Sequence, residues 1–202
     1  MHYSRYLYVF TFFLFLNIAG IFYCKAQLQQ EVFNTLNVSY FGKSVTRTGF
    51  KAGTILFSYN FKPHIRNNGN TILRQLGVPA NMGFYFHPGN HFGWFLNTGF
   101  GYKTVLSKGF FWQFDVEAGY LRTFLTSSVY EVDDRGNINR VFLAGRNQFM
   151  PGIGFTCGKN LNEQNKRFNA IYGRAGGFLQ YPYNTMWLPN LILEIGTIIN
   201  LE

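Results

Sequence analysis

From Val32 onward, apolar and polar residues alternate with a period of two in eight successive runs. That is the pattern of strands whose two faces meet different surroundings. The first run, Val32 to Phe41, sets Leu36, Val38 and Tyr40 against Thr35, Asn37 and Ser39. The second, Thr48 to Phe61, sets Ile55, Phe57, Tyr59 and Phe61 against Thr54, Ser58 and Asn60, with a less regular early half. In the third, Arg74 to Phe86, Leu76, Val78, Ala80, Met82, Phe84 and Phe86 oppose Gln75, Gly77, Asn81 and Gly83, and Pro79 predicts a bulge or a gap in pairing because it brings no ladder donor. The fourth and fifth are the cleanest. Phe92, Trp94, Leu96, Phe100 and Tyr102 oppose Gly93, Asn97, Gly99, Gly101 and Lys103, and then Phe110, Trp112, Phe114, Val116, Ala118 and Tyr120 oppose Gln113, Asp115, Glu117, Gly119 and Thr123.

The sixth run, Asn147 to Gly158, carries Phe149, Ile153, Phe155 and Cys157 opposite Met150, Gly152, Gly154 and Thr156. The seventh, Phe168 to Gln180, is diluted by Gly173, Gly176 and Gly177, which leaves its register open. The eighth sets Leu191, Leu193, Ile195, Ile199 and Leu201 against Glu194, Gly196 and Asn200. Turn residues separate the runs: Asn67 to Asn70, His87-Pro88-Gly89-Asn90, Ser107-Lys108-Gly109, and Asp133-Asp134-Arg135-Gly136-Asn137 at the centre of the longest connection, Thr126 to Ala144. Eight is an even number, so both chain ends share one side. Connections after runs one, three, five and seven, the longest among them, then lie on the other side.

Composition narrows the class. Of the 202 residues, 20% are aromatic and 13% charged, with 22 glycines, and the mean hydropathy of -0.04 is what alternation rather than blocks would give. The N-terminus differs from the rest. His2 and Arg5 precede an apolar run from Tyr6 to Tyr23, the layout of an export signal, with cleavage expected after Ala26 and a mature region from 27 to 202. Lipidation at Cys24 and an uncleaved anchor are the competing readings; the bulky Tyr23 disfavours the first, and the processing-like Cys24-Lys25-Ala26-Gln27 the second. Past residue 23 no stretch reaches the ~18 uninterrupted apolar residues of a spanning helix, so any downstream span is β. Cleavage would leave Cys157 alone, with no intramolecular disulfide framework. Removing Arg5 and Lys25 from the 18 basic residues leaves 16 against 9 acids, a balance that suits phosphate-rich partners such as lipopolysaccharide or simply soluble loops.

Glycines decide which face is inside. Gly93, Gly99, Gly101, Gly119, Gly152, Gly154 and Gly196 share the polar face, as the cramped interior of an eight-stranded barrel requires, while the bulky aromatics occupy the other. A water-facing surface that aromatic would aggregate. Trp94, Tyr102, Trp112, Tyr120 and Trp187 are the candidates for interfacial girdles. The expected fold is all-β: an eight-stranded antiparallel up-and-down transmembrane β-barrel after a cleaved signal peptide. The signal, the eight runs and segments such as Leu96-Asn97-Thr98-Gly99-Phe100-Gly101-Tyr102 and Glu117-Ala118-Gly119-Tyr120-Leu121 make the mature region resemble the small outer-membrane β-barrel proteins of Gram-negative bacteria. The resemblance implies an outer-membrane location, a monomer among outer-membrane lipids including lipopolysaccharide, and insertion by the barrel-assembly machinery. Many such proteins end in an aromatic residue; this chain ends Asn200-Leu201-Glu202.

Candidate chemistry is thin. Asp115, Glu117 and Glu194 fall on the inward face, with Arg122, Lys103 and Arg174 as partners inward or near the rims, which predicts a lumen charge network. A proton or ion pathway is the alternative use of those groups. A lipid A hydrolase or acyltransferase would need a histidine with a serine or acid nearby; His87 and His91 flank one turn and His64 lies near another, without a recognisable nucleophile motif. No cofactor site is expected, since the glycine-rich Gly152-Ile153-Gly154 and Gly173-Arg174-Ala175-Gly176-Gly177 open no helix and read as inward small residues; no metal site, since no cysteine or acidic cluster accompanies His87 and His91; and no nucleic-acid site, since the basic residues are scattered. The leading expectation is a structural or surface-interaction barrel with no defined catalytic activity.

Overall fold

The computed structural model describes residues 35–43, 47–65, 70–161 and 168–201. The export segment 1–26, the start of the first run before Thr35 and most of the Asn67 turn therefore lie outside the described residues. Twelve strands are formed among the described residues: β1 (Thr35–Lys43), β2 (Arg47–Asn60), β3 (His64–Ile65), β4 (Thr71–His87), β5 (His91–Val105), β6 (Phe110–Leu125), β7 (Val129–Val132), β8 (Ile138–Val141), β9 (Gly145–Phe149), β10 (Gly152–Asn160), β11 (Phe168–Tyr183) and β12 (Met186–Asn200).

The sheet closes on itself. Antiparallel pairing runs from β1 through β2, β4 and β5 to β6; β6 pairs with both β9 and β10, β10 with β11, β11 with β12, and β12 returns to β1. Closure satisfies the backbone donors and acceptors that an open edge would leave bare, a requirement for strands surrounded by hydrocarbon. β9 and β10 occupy one position in the wall, so the barrel is eight-stranded and meanders up and down. The sixth run, expected as one strand, is divided at Pro151, whose nitrogen has no hydrogen to give. Flanking bonds carry the wall across the break: the Met150 amide donates to the Gly119 carbonyl (2.8 Å) and the Leu179 amide to the Pro151 carbonyl (2.9 Å).

A second irregularity lies where Pro79 predicts one, but the extra residue is on the neighbouring strand. Ile55 pairs with Pro79 and Phe57 with Val78, so Leu56 bulges from β2. On the other side of β4, register partners run Gly77↔Gly101 and then Ala80↔Thr98. The bulge swaps the faces of β2: Lys51 is inward before it and Ser58 after it, both buried. Ile55, expected on the outer face, instead turns inward beside Gln75, Gly77 and Lys103.

The first residue of β1, Thr35, and the last of β12, Asn200, are register partners at one rim, here called the terminal rim. At the opposite rim, the loop rim, lie the β4–β5 turn, the two-residue Asn184-Thr185 turn joining Tyr183 to Met186, and the longest connection. That connection holds the β7–β8 hairpin, whose tip runs from Asp133 to Asn137.

Polarity is the reverse of a water-soluble barrel. Along β6, Phe110, Trp112, Phe114, Val116 and Tyr120 are exposed while Phe111, Asp115, Glu117, Leu121 and Thr123 are buried. Ring contacts link the outer aromatics into two lines. One crosses from Tyr40 through Phe50, Phe84 and Phe92 to Phe124, and the other runs from Tyr59 through Phe61, Tyr102 and Trp112 to Phe155 nearer the terminal rim. Strands of 14–17 residues in β2, β4, β5, β6, β11 and β12 exceed the ~9–11 residues that a tilted transmembrane strand needs.

Candidate functional site

Inward residues at matching heights on neighbouring strands form layers inside the barrel, and three of them stack toward the loop rim. The first is a charge cluster. Arg174 on β11 reaches three carboxylates: Nη1 stands 3.0 Å from Glu194 Oε1, Nη2 2.9 Å from Glu117 Oε1, and Nε 3.7 Å from Asp115 Oδ2. Lys51 Nζ lies 2.5 Å from the other Glu194 oxygen. Neutral donors complete the shell: Asn97 to Glu117 (3.0 Å), Gln113 to Asp115 (2.6 Å) and Ser39 to Glu194 (3.4 Å). All five charged groups are buried, which is tolerable only because each is paired and hydrogen-bonded. The free space beside them is about 50 Å³, enough for ordered water and too small for an open conduit.

Glycines make room for this packing. A Cβ on Gly154 would overlap the Arg174 guanidinium, and one on Gly83 or Gly196 would press on the Phe95 or Tyr172 ring of a neighbouring strand. Above the charges, Phe41, Tyr85, Phe95, Leu121, Met150, Phe178 and Ile192 form a buried apolar layer, with the rings of Phe41 and Phe95 5.0 Å apart.

The third layer is a vestibule of about 230 Å³ at the loop rim. On its floor Lys43, 1% exposed, donates to the Tyr85 hydroxyl (3.0 Å) and to Gln180 Oε1 (2.8 Å). Gln180 in turn accepts from Asn190 (2.9 Å) and donates to Gln148 (2.8 Å), so an amide chain fixes the floor. His91 sits between the Tyr85 hydroxyl (3.4 Å from Nε2) and Asn90 Oδ1 (3.2 Å from Nδ1). Arg47 and Arg146 add positive charge to the lining, and His87 lies among them.

The residues singled out by sequence are distributed unevenly. Asp115, Glu117, Glu194 and Arg174 come together in the cluster. Lys103 points inward but stands apart, its ammonium 4.2 Å from the centre of the Phe111 ring. Arg122 is corrected: it shares the outer face with Tyr120 and Phe124, hydrogen-bonds Asn147 Oδ1 and lies over the Phe124 ring, because the unbroken alternation of β6 leaves it no inward position. The Gly173–Gly177 segment is corrected too. Gly173 and Gly177 belong to the outer face and only Gly176 faces in, since Arg174, Phe178 and Gln180 fix the parity of β11. Trp94 contacts Tyr120, Tyr102 contacts Trp112, and Trp187 stacks on Tyr181 at 4.5 Å, all on the outside. Cys157 is exposed on the same outer face.

Sequence reading missed Lys51 and Lys43. A signal for each exists, since Lys51 keeps step with Gly49 and Gly53 and Lys43 with Ser39 and Phe41. The irregular early half of the second run hid the first, and the Gly42 break hid the second. Among the described residues no group of three His, Cys, Asp or Glu side chains is placed to hold a metal ion.

No protein-family model matches the chain, and no curated protein matches it. Among solved structures it is similar to the outer membrane enzyme PagL, at 11% identity and a TM-score of 0.41 over 83% of this chain and 99% of that one. It is also similar to the β domain of the Bordetella autotransporter BrkA, at 10% identity and a TM-score of 0.37 over 82% of this chain and 68% of that one. The eight-stranded barrel rests on the strand pairing of this chain itself.

Proposed function

We propose that the protein is an integral outer-membrane barrel with a structural and surface-presenting role: it braces the membrane and holds the β7–β8 hairpin outside the cell. One observation carries the reading. Leu193, Glu194 and Ile195 are consecutive on β12, and their exposures are 51%, 2% and 75%. Burying the carboxylate while exposing both neighbours is favourable only where the surrounding solvent is hydrocarbon. With the N-terminus exported, the terminal rim faces the periplasm and the loop rim the exterior. Lipopolysaccharide and outer-membrane phospholipids are then its immediate partners, and the barrel-assembly machinery its route of insertion. A charge cluster capped by an apolar layer makes the interior a brace rather than a channel.

Membrane fractionation joined to a heat-modifiability gel tests this. The protein is expected to sediment with outer membranes, to require detergent for release, and to migrate differently before and after boiling. Recovery in the soluble fraction without detergent would overturn the reading.

A second reading has its own observation. His91, hydrogen-bonded to Tyr85 and Asn90 and opening on the vestibule, has the positioning of a general base, and a lipid A hydrolase or acyltransferase would use one. Its test is lipid A mass spectrometry with His87→Ala and His91→Ala. A lipid A species that changes with the protein and reverts in the variants would establish it, and an unchanged profile would remove it.

A further inference from the structure

The vestibule has a charge problem that the charge cluster does not. Lys51 and Arg174 each face carboxylates, whereas Lys43, buried as deeply, has among the described residues the neutral oxygens of Tyr85 and Gln180 and the rings of Tyr85 and Phe178. Arg47, Arg146, His87 and His91 line the same cavity, and among the described residues no carboxylate does. The described acids are committed elsewhere. Asp115, Glu117 and Glu194 lie beneath the apolar layer, and Glu131, Asp133 and Asp134 are exposed on the hairpin, with Asp133 holding Arg135 and Asn137. A buried ammonium without a counter-charge is strongly disfavoured. Among the described residues none supplies a counter-charge to this ammonium, and an anion from outside the chain would supply it.

The donors define its chemistry. They approach from different wall strands: Lys43 from β1 below, Arg47 from β2, His87 and His91 from β4 and β5, and Arg146 from β9 at the exposed mouth, where it also holds Asn184 Oδ1 at 2.5 Å. A flat carboxylate offers two oxygens on one edge. A tetrahedral phosphate offers oxygens in several directions, and guanidinium groups match it with paired N–H donors. We propose that the loop-rim vestibule is a binding site for a phosphate monoester, carried either by a small solute or by a lipid headgroup leaning over the rim. The site lies above the apolar layer and is independent of whether the barrel braces the membrane.

The test uses the full mature chain refolded in zwitterionic detergent micelles, with two probes at matched ionic strength: inorganic phosphate, and phosphatidic acid doped into the micelles. Thermal unfolding followed by tryptophan fluorescence reads binding to each. A saturable rise in the unfolding midpoint with either probe, absent with chloride, is expected, and the probe that produces it identifies the source. Arg146→Gln, at the exposed mouth, should weaken the apparent affinity about tenfold, as loss of one charge-assisted contact does, and Lys43→Met should abolish the response. Should Lys43→Met fail to fold, Arg146→Gln with Arg47→Gln carries the test. No response to either probe, or an undiminished response in the variants that fold, would overturn the proposal.

Discussion

Arg174 and Glu194 are register partners across the β11–β12 pairing, and their side chains meet inside the barrel with Nη1 3.0 Å from Oε1. The same guanidinium spans to Glu117 and Asp115 on β6, beyond the intervening β10. One side chain thus ties together carboxylates from separate parts of the wall, and Lys51 from β2 closes the ring of charge on Glu194.

Removing that guanidinium strands three buried carboxylates, with Lys51 as the one remaining cation paired with them among the described residues. Arg174→Met should cost about 3–5 kcal/mol, the range for breaking a buried ion pair from one side. It would be read as a lower urea midpoint for loss of the fast-migrating unboiled band. Adding Glu117→Gln to Arg174→Met should return part of the loss, because one stranded charge then disappears. A single-variant midpoint equal to wild type would show that the cluster contributes no net stability.

Glycine positions on the two faces should respond in opposite ways. A Cβ at Gly154 would overlap the Arg174 guanidinium, whereas a Cβ at Gly173 has nothing nearer than the Glu194 carbonyl oxygen at 3.9 Å. Gly154→Ala is expected to lower the refolded fraction sharply, and Gly173→Ala to leave it unchanged or slightly raised, since alanine loses less chain entropy on folding. Densitometry of unboiled gels distinguishes the two, and equal yields would contradict the inward placement of Gly154.

These faces were legible in the residue pattern because alternation alone assigns them wherever a strand runs unbroken, as β5 and β6 do. Asp115, Glu117 and Glu194 are assigned inward that way, whereas Arg174 lies in the seventh run, whose glycines leave its register open. Alternation fails where the register slips. The Leu56 bulge inverted the assignment of Ile55 and concealed Lys51, and Pro151 divided a run that still kept its faces. Lys43 keeps step with Ser39 and Phe41 and is hidden by the Gly42 break, whereas its partners lie beyond any local pattern. Its neighbours Tyr85 and Gln180 belong to strands remote in sequence, and pairing across a barrel sets such meetings in a way that no local pattern encodes.

The β11–β12 turn carries strain that a substitution can relieve. Asn184 and Thr185 both have positive φ, 47° and 69°, the geometry that a two-residue hairpin turn demands and that asparagine and glycine accept. The β-branched Thr185 is out of place there. Thr185→Gly should raise stability by about 1 kcal/mol, less the extra entropy glycine brings to the unfolded chain. A urea midpoint shifted upward would register it, and a downward shift would refute it.

The hairpin tip should respond to acid. Asp133 receives hydrogen bonds from the Asn137 side chain, the Asn137 amide and the Arg135 amide, and these hold its carboxyl below the usual range, the Asn137 side chain most strongly. A depressed folded value means that the tip's order is fully present above the ordinary aspartate pKa of about 3.9. That order is lost only as pH falls through the lower, folded value. Amide NMR of Gly136 and Asn137 during an acid titration should show a midpoint below that of Asp133 in an unfolded peptide. A midpoint at the ordinary value would mean that the three bonds do not persist in solution.

The outer face allows the sharpest distinction between a membrane barrel and a water-soluble one. Leu193 occupies the middle of β12 and is exposed between the buried Ile192 and Glu194. In water, exchanging an exposed leucine for arginine is close to neutral, as surface substitutions usually are. In hydrocarbon the same exchange near the bilayer midplane costs about 2–4 kcal/mol. Val132→Arg, on the β7–β8 hairpin, gives the control, because Val132 is 65% exposed and lies beyond the wall strands. Leu193→Arg should lower the folding free energy measured in phospholipid vesicles while Val132→Arg leaves it within experimental scatter. Equal, negligible effects at both positions would mean that β12 faces water, and the assignment of the apolar exterior to lipid would fall with it.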